Sequence, residues 1–276
     1  MIKAIITDLD GTILPHGGTI SPETVRTLEE AATKRMTRII ATGRNLFAAM
    51  KVIPTDLPID YLVFSSGAGI VRWHDKQVIF SEHLSQEEAR NIADYLWNFN
   101  INFTIQREIP NNHLFYYTDI YPANEDYRKR LEMNRSFGQL ISNSEDIQGQ
   151  GTQFVMIVES RQVRLIEQIR ADLSAYSVIR STSPIDNTAI WIEIFPKTIN
   201  KGHTCSHLLK QLGLSGKECA GIGNDYNDVD FLDICGVSGL VANAPNRLKP
   251  HYKSVASDRN NGFSEFLTNV FNNEHN

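Results

Sequence analysis

Two acids one residue apart, Asp8 and Asp10, close a short β-branched run and open the segment Asp8-Leu9-Asp10-Gly11-Thr12. Other chemistry-bearing residues stand where further apolar runs stop. Thr42-Gly43-Arg44 follows residues 38–41, Ser66 follows residues 61–64, Asn224 to Asp228 follow residues 220–222, and Asn243 follows residues 239–242. Lys201 adds a cation near a predicted helix start. Carboxylates gathered in one place repel one another unless a cation joins them. An oxygen-only donor set without histidine suits Mg²⁺ better than zinc. A carboxylate can attack phosphorus and form an acyl phosphate. The group in transfer carries charge on three oxygens, which Mg²⁺, a lysine and a hydroxyl donor would stabilise. Each of these short motifs alone reads as a turn, a cap or a solvated lysine; their shared position at strand ends points to phosphoryl transfer. The residue types leave open which of Asp8 and Asp10 attacks.

The elements that must position these groups follow from hydrophobic patterning. Residues 3–7 read as a strand buried on both faces. Ser21-Pro22 starts a helix whose face is Val25, Leu28, Ala31 and Ala32. Strands at 38–41 and 61–64, with a short helix between them running to about Ile53, complete the alternation of a parallel sheet with crossover helices. Ligands of such sheets bind beyond the carboxyl ends of the strands. The rhythm then changes. Residues 70–73 and 77–80 read as a hairpin. Ser85 with Glu88 forms a capping box for a helix burying Ala89, Ile92, Leu96 and Phe99. Strands are expected at 101–106, 113–118, 154–158, 177–180 and 189–195, with a helix over 163–175. The parallel rhythm returns near Asn200 with a helix burying Leu208, Leu209 and Leu212 and stopped by Gly213. Strands at 220–222 and 239–242 and a last helix over 263–271 follow. The expected fold is α/β: a Rossmann-like parallel-sheet core from residues 1–82 and 196–276, with an inserted α+β cap domain at 83–195.

The 276 residues are 41% hydrophobic, enough for a sizeable core, and the formal net charge of −5 gives no basic face for nucleic acid. The three cysteines form no CxxC pair and read as reduced, buried thiols. No stretch approaches the ~18 apolar residues of a membrane span, and the N-terminal apolar run is too short for a secretory signal. A cytoplasmic protein without a membrane partner is expected, a monomer or weak dimer.

Four segments together resemble the signatures of the haloacid dehalogenase superfamily. Asp8-Leu9-Asp10-Gly11-Thr12 looks like its first, Thr42-Gly43-Arg44 its second, Lys201-Gly202 its third and Gly223-Asn224-Asp225-Tyr226-Asn227-Asp228 its fourth. Their order and spacing resemble the Cof-type subfamily, whose cap lies between the second and third signatures. The resemblance implies Asp8 as nucleophile and Mg²⁺ ligand. It implies Asp10 as general acid and base, with its main-chain carbonyl on the metal. Thr42 is then a donor to the phosphoryl group and Lys201 the neutralising cation. Asn224 and Asp228 belong to the implied metal site, and Asn227 and Asp228 orient it and the lysine. Gly43, Arg44, Ser66, Asn227 and Asn243 match positions that face substrate. Two positions depart from the pattern. Residue 224 is Asn where the family reads Asp, so either Asn224 keeps the ligand role through its amide oxygen or Asp225 takes it. A one-residue slip redirects a side chain, which favours Asn224. Ser65-Ser66-Gly67-Ala68 stands where relatives often show Asn-Gly-Ala.

The function this implies is Mg²⁺-dependent hydrolysis of a small phosphorylated metabolite, a sugar phosphate or related monoester, through an aspartyl phosphate. Transfer to another acceptor, as in phosphomutases, would use the same intermediate. A non-catalytic metabolite-binding protein would have no need of Asp8, Asp10 and Lys201 together. In the resembled family the cap selects the leaving group. Phe115-Tyr116-Tyr117, His113, Arg107, Arg180 and Glu193 are the cap residues of interest, and patterning assigns none of them a role.

Overall fold

The first apolar run forms β1 (Ala4–Thr7), every residue of it buried, and Asp8 is the first residue beyond it. The computed structural model describes residues 1–120, 124–159, 161–182 and 189–273. In it the chain divides into two compact units, one of Met1–Phe80 with the chain from Asn200 onward, the other of Ser81–Ile199.

Helix α1 (Pro22–Thr33) starts as the sequence requires: Ser21 accepts the Thr24 N–H at 3.1 Å and proline takes the first turn. Its buried stripe is Thr24, Thr27, Leu28 and Ala31, whereas Val25 and Ala32 are only half-buried. The stripe tolerates threonines because their hydroxyls are satisfied: Thr27 Oγ1 donates to the Glu23 carbonyl at 2.9 Å and bonds Ser264 Oγ at 2.8 Å. Strand β2 (Thr37–Ala41), helix α2 (Leu46–Met50) and strand β3 (Tyr61–Phe64) follow. Strands β4 (Gly69–Arg72) and β5 (Gln77–Ser81) end this half, β4 pairing antiparallel with β3.

The second unit contains helix α3 (Gln86–Trp97), strands β6 (Phe103–Arg107) and β7 (Phe115–Tyr117), helix α4 (Glu125–Asn134), strands β8 (Gly138–Leu140) and β9 (Gly151–Glu159), helix α5 (Val163–Asp172), and strands β10 (Ser177–Thr182) and β11 (Ala189–Phe195). The sheet order is β10-β11-β9-β6-β7-β8, antiparallel except for β7 with β8. The Ser85–Glu88 capping box is present, and Ala89, Ile92 and Leu96 are buried. Phe99 lies beyond the helix end at Trp97 and is half-buried. Patterning misses α4, because Asp126 and Tyr127 are its buried residues and such a helix carries no apolar period. Strand β8 is missed because three residues, two of them exposed, are too short to show alternation.

The first unit resumes with helix α6 (Lys201–Gln211), strand β12 (Cys219–Gly223), helix α7 (Val229–Ile234), strands β13 (Val237–Val241) and β14 (Lys253–Val255), and helix α8 (Gly262–Asn273). Its eight-stranded sheet has the order β14-β13-β12-β1-β2-β3-β4-β5 and is parallel from β14 through β3. The register is decisive. Thr7 stands opposite both Ile40 and Ile222, so Asp8 leaves the sheet level with the ends of β2 and β12. The core behind these ends packs Ile6, Ile39, Leu208, Phe231 and Leu240, each about 1% exposed or less. Burial of each such side chain contributes about 1.5–3 kcal/mol. Cys205 and Cys219 are buried and Cys235 is half-buried; all three are free thiols. Among the described residues no helix is long and apolar enough to cross a membrane.

Candidate active site

The loop after β1 is shaped by Gly11, at φ +75°, where a β-carbon would stand 2.6 Å from the Asn224 amide nitrogen. Any side chain at residue 11 would therefore displace Asn224. Asn243 reaches in from the end of β13 and donates to the Gly11 carbonyl at 2.8 Å, while its Oδ1 accepts the Asp258 N–H at 3.0 Å. Both ends of that amide thus hold backbone.

The carboxylate of Asp8 lies at the centre. Lys201, at the first position of α6, places Nζ 2.6 Å from Asp8 Oδ1 and 2.7 Å from Asp228 Oδ1. Lys201 is 1% exposed, Asp8 5% and Asp228 0%, so all three polar groups are out of water and depend on one another. The other oxygen of Asp228 accepts the N–H groups of Asn224 and Asp225 at 2.8 and 3.0 Å. Asp228 therefore shapes the loop after β12 and anchors the lysine at once. Asp225 caps the following turn, its side chain returning to the Asp228 N–H. Burial, reinforced by the carboxylates of Asp228 and Asp10, pushes the Asp8 acid up to about 8, against the pull of Lys201. Burial also disfavours the Lys201 charge, but Asp228 and Asp8 outweigh it and hold the ammonium protonated.

Asp10 is clasped by Arg44, whose Nε and Nη2 donate to its two oxygens at 2.8 and 2.6 Å. The hydrogen bond to Asp10 holds the guanidinium more firmly protonated than usual. Thr42 follows β2 directly and is fully buried; its Oγ1 accepts the Arg44 N–H at 3.1 Å, which leaves its own O–H to donate. Ser66 and Asn227 converge on Gly43, their Oγ and amide nitrogen 3.5 and 4.0 Å from where a β-carbon there would stand. Ser65 and Ser66 both take left-handed backbone, φ +50° and +53°, followed by Gly67 at +110°. At Gly67 a β-carbon would stand 2.6 Å from the Asn200 carbonyl oxygen, so the turn after β3 is fitted against the start of α6, which carries Lys201.

All the residues singled out in the first unit stand at strand ends or, for Lys201, at a helix start. Direct contacts join Asp8, Lys201 and Asp228, and Asp10 and Arg44; Ser66 and Asn227 lie near Gly43. Patterning gave Thr12 no role. Its Oγ1 lies 3.5 Å from Asp8 Oδ2 and 3.4 Å from Asn224 Oδ1, so those two oxygens face one hydroxyl. A hydroxyl four residues beyond Asp8 in the same tight loop was the available signal.

The donor set suits a hard divalent cation. Three carboxylates, Asp8, Asp10 and Asp228, stand against two cations, Lys201 and Arg44. Among the described residues Asp8 Oδ2 has only the long contact to Thr12, and the Asn224 amide oxygen shares that contact. Among the described residues no three of His, Cys, Asp and Glu converge as a ligand set. A cation here would therefore rest on mixed oxygens, carboxylate and amide, which Mg²⁺ accepts and zinc does not favour.

In the second unit, Phe115, Tyr116 and Tyr117 are all buried, and Tyr116 donates its hydroxyl to the Gln148 carbonyl at 3.1 Å. Arg107 stacks on Tyr116, 4.7 Å from the ring centre. Glu193 is buried and accepts from Gln153 Nε2 at 2.9 Å.

Known proteins resemble this chain over nearly its whole length. A Bacillus subtilis protein named 5-amino-6-(5-phospho-D-ribitylamino)uracil phosphatase is 24% identical over 297 residues, covering 99% of this chain and 100% of its own. A solved phosphatase of the haloalkanoate superfamily from Bacteroides thetaiotaomicron superposes with a TM-score of 0.81 at 17% identity, covering 98% of this chain and 95% of that one. A solved sugar phosphatase of subclass IIB gives 0.77 at 18% identity, covering 97% and 98%. At those identities the two structures speak for the fold alone. The sequence model of one family spans nearly the whole chain, matching residues 5–267, and by that match this protein belongs to the haloacid dehalogenase-like hydrolases.

Proposed function

We propose that this hydrolase is a Mg²⁺-dependent phosphatase that cleaves small phosphate monoesters through a phosphoryl group carried on Asp8. The observation that carries the reading is the buried Lys201 ammonium fixed between Asp8 and Asp228 at the carboxyl end of a parallel sheet. A carboxylate held there without water keeps its attacking oxygen aimed, and the lysine offsets charge on the incoming group. In the first step an Asp8 oxygen bonds to phosphorus, the ester P–O bond breaks, and Asp10 gives its proton to the leaving alcohol oxygen. In the second step Asp10 takes a proton from water, the water oxygen bonds to phosphorus, and the Asp8–phosphorus bond breaks. Arg44 now donates to both Asp10 oxygens, which favours the carboxylate, so Asp10 serves as the acid once that double hold is loosened. Thr42, directly after β2, and Ser66, two residues after β3, are the hydroxyl donors assigned to the phosphoryl oxygens. Ser66 and Asn227 stand near Gly43, and Asn243 holds the Asp8 loop.

Asp8, the Asp10 main-chain carbonyl and Asn224 would hold the cation, with Asp228 behind them fixing the loop. Bound there, Mg²⁺ supplies charge neutralisation for the phosphoryl oxygens. Sugar and polyol phosphates are the substrate class of this proposal, because one relative is named a phosphatase of a phosphoribitylamino compound and one structural neighbour a sugar phosphatase.

The reading is tested by release of inorganic phosphate from a panel of sugar and polyol phosphates with Mg²⁺ and no added acceptor. Turnover of several of them is expected; silence across the panel would remove the proposal. Asn224→Asp adds one negative charge to the cation site, and ligand charge is a main determinant of affinity. Half-saturation by Mg²⁺ should fall roughly tenfold in that variant, read both from turnover and from the thermal shift that Mg²⁺ produces. An unchanged Mg²⁺ titration would take Asn224 out of the site.

A further inference from the structure

At the opposite end of the eight-stranded sheet's strands lies a cavity of about 370 Å³, where β2 and β3 begin and β4 ends. Arg35, Arg38, Arg72 and His74 line it, with Asp60 and Tyr61. It is a strand's length from Asp8 and Thr42, roughly 15 Å at the usual rise per residue. Arg38 is bound through Nε and Nη2 to Asp60 at 2.9 and 2.7 Å, which fixes its guanidinium in place. Arg72 is held from outside by Asp75 at 2.6 Å and by Gln77. These pairs fix two guanidinium groups at the cavity wall through their Nε and Nη2 atoms, and among the described residues Nη1 of each has no partner. Asp60, the one acid in the wall, is already taken by Arg38.

Arg35 is the unexplained member. Its side chain has no hydrogen bond or ion pair among the described residues, and it is exposed. Its backbone is left-handed, φ +58°. It stands just past α1, where its N–H bonds the Ala32 carbonyl at 2.9 Å and the Met36 N–H bonds the Ala31 carbonyl at 3.0 Å. That closing turn usually places glycine at this position, because a β-carbon strains it. Lys34 already brings a cation to the same helix end. An arginine kept in a strained position that asks for glycine, beside two fixed guanidinium groups and no spare acid, has a use for its charge.

We propose that this cavity is a binding site for a small phosphate-bearing polyanion, separate from the catalytic centre, with Arg35 as its mobile clasp and Arg38 and Arg72 as its fixed walls. Arg35 offers a whole guanidinium fork to a pair of phosphate oxygens, and Arg38 and Arg72, whose Nε and Nη2 are engaged by Asp60, Asp75 and Gln77, add single N–H contacts. Tyr61 and His74 add further hydrogen-bonding capacity at the rim.

The test is calorimetric titration of the full chain with inorganic pyrophosphate, without Mg²⁺. Wild type should bind. Arg35→Gly should weaken binding about tenfold, the loss of one charged fork, and should raise the melting temperature because the strained backbone is relieved. Arg35→Gln keeps the backbone as it is and removes only the charge, and should weaken binding equally. Lys253→Ala removes an exposed cation elsewhere in the same unit and should leave binding unchanged. No binding by wild type, full binding by the Arg35 variants, or equal weakening by Lys253→Ala would overturn the proposal. Full binding by the Arg35 variants would assign the anion to the Asp8 site, and equal weakening by Lys253→Ala to bulk charge.

Discussion

Lys201→Met is expected to lower the unfolding free energy by about 3–5 kcal/mol and to abolish turnover. Methionine fills most of the lysine's volume, so the change isolates the loss of charge. Asp8 and Asp228 would remain buried, at 5% and 0% exposure, without the cation that now lies 2.6 and 2.7 Å from them. A loss of that size is a large share of the roughly 5–15 kcal/mol by which a domain is stable. The deficit has a sign with pH. The acid of Asp8 already stands above its ordinary value of 3.8, at about 8, because of burial and then Asp228; Lys201 pulls it down, so removing the lysine raises it further. A carboxyl group whose folded value is raised costs stability once pH exceeds its unfolded value, and the cost grows until pH reaches the folded one. The variant should therefore lie closer to wild type at pH 5 than at pH 8. Urea unfolding at both pH values, with EDTA present, measures this. Equal stability of the two proteins at pH 8 would show that the lysine is not the counter-ion of the pair.

Asp8→Asn should reduce turnover by roughly 10⁴-fold or more, the scale seen when the nucleophile of a catalytic unit is removed. The amide is isosteric, so Lys201 keeps an oxygen to donate to. Stability should hold or rise by about 1 kcal/mol, because a like charge leaves the neighbourhood of Asp228 and Asp10. The pair of results matters more than either alone. Activity lost with the fold intact places Asp8 in the chemistry. Activity lost together with stability would place it in the scaffold. Steady-state phosphate release and a melting curve on the same preparation give both.

The fold was legible because β1, β2, β3 and β12 are short runs buried on both faces, which have few alternatives to a parallel sheet. The strand-end rule then located Asp8, Thr42, Ser66 and Asn224 without any coordinates. Pairwise contacts were not legible. Asp10 and Arg44 are 34 residues apart and Lys201 and Asp8 are 193 apart, and no local pattern encodes such a pairing. The second role of Asp228, holding the N–H groups of Asn224 and Asp225, depends on a turn conformation that the run Asn-Asp-Tyr-Asn-Asp permits but does not dictate. Helix α4 was invisible because it buries Asp126 and Tyr127 in place of an apolar stripe. Patterning assigns no role to the aromatic run at 115–117, and all three of its rings are buried.

The central claim is that the phosphoryl group passes through Asp8. Rapid acid quench of the enzyme during turnover of a good substrate with Mg²⁺, followed by mass spectrometry of its peptides, measures this directly. One phosphoryl group on the peptide that contains Asp8, absent in Asp8→Asn and lost with time as substrate runs out, is the predicted result. Full turnover with that peptide unmodified at every quench time, together with activity retained in Asp8→Asn, would contradict it.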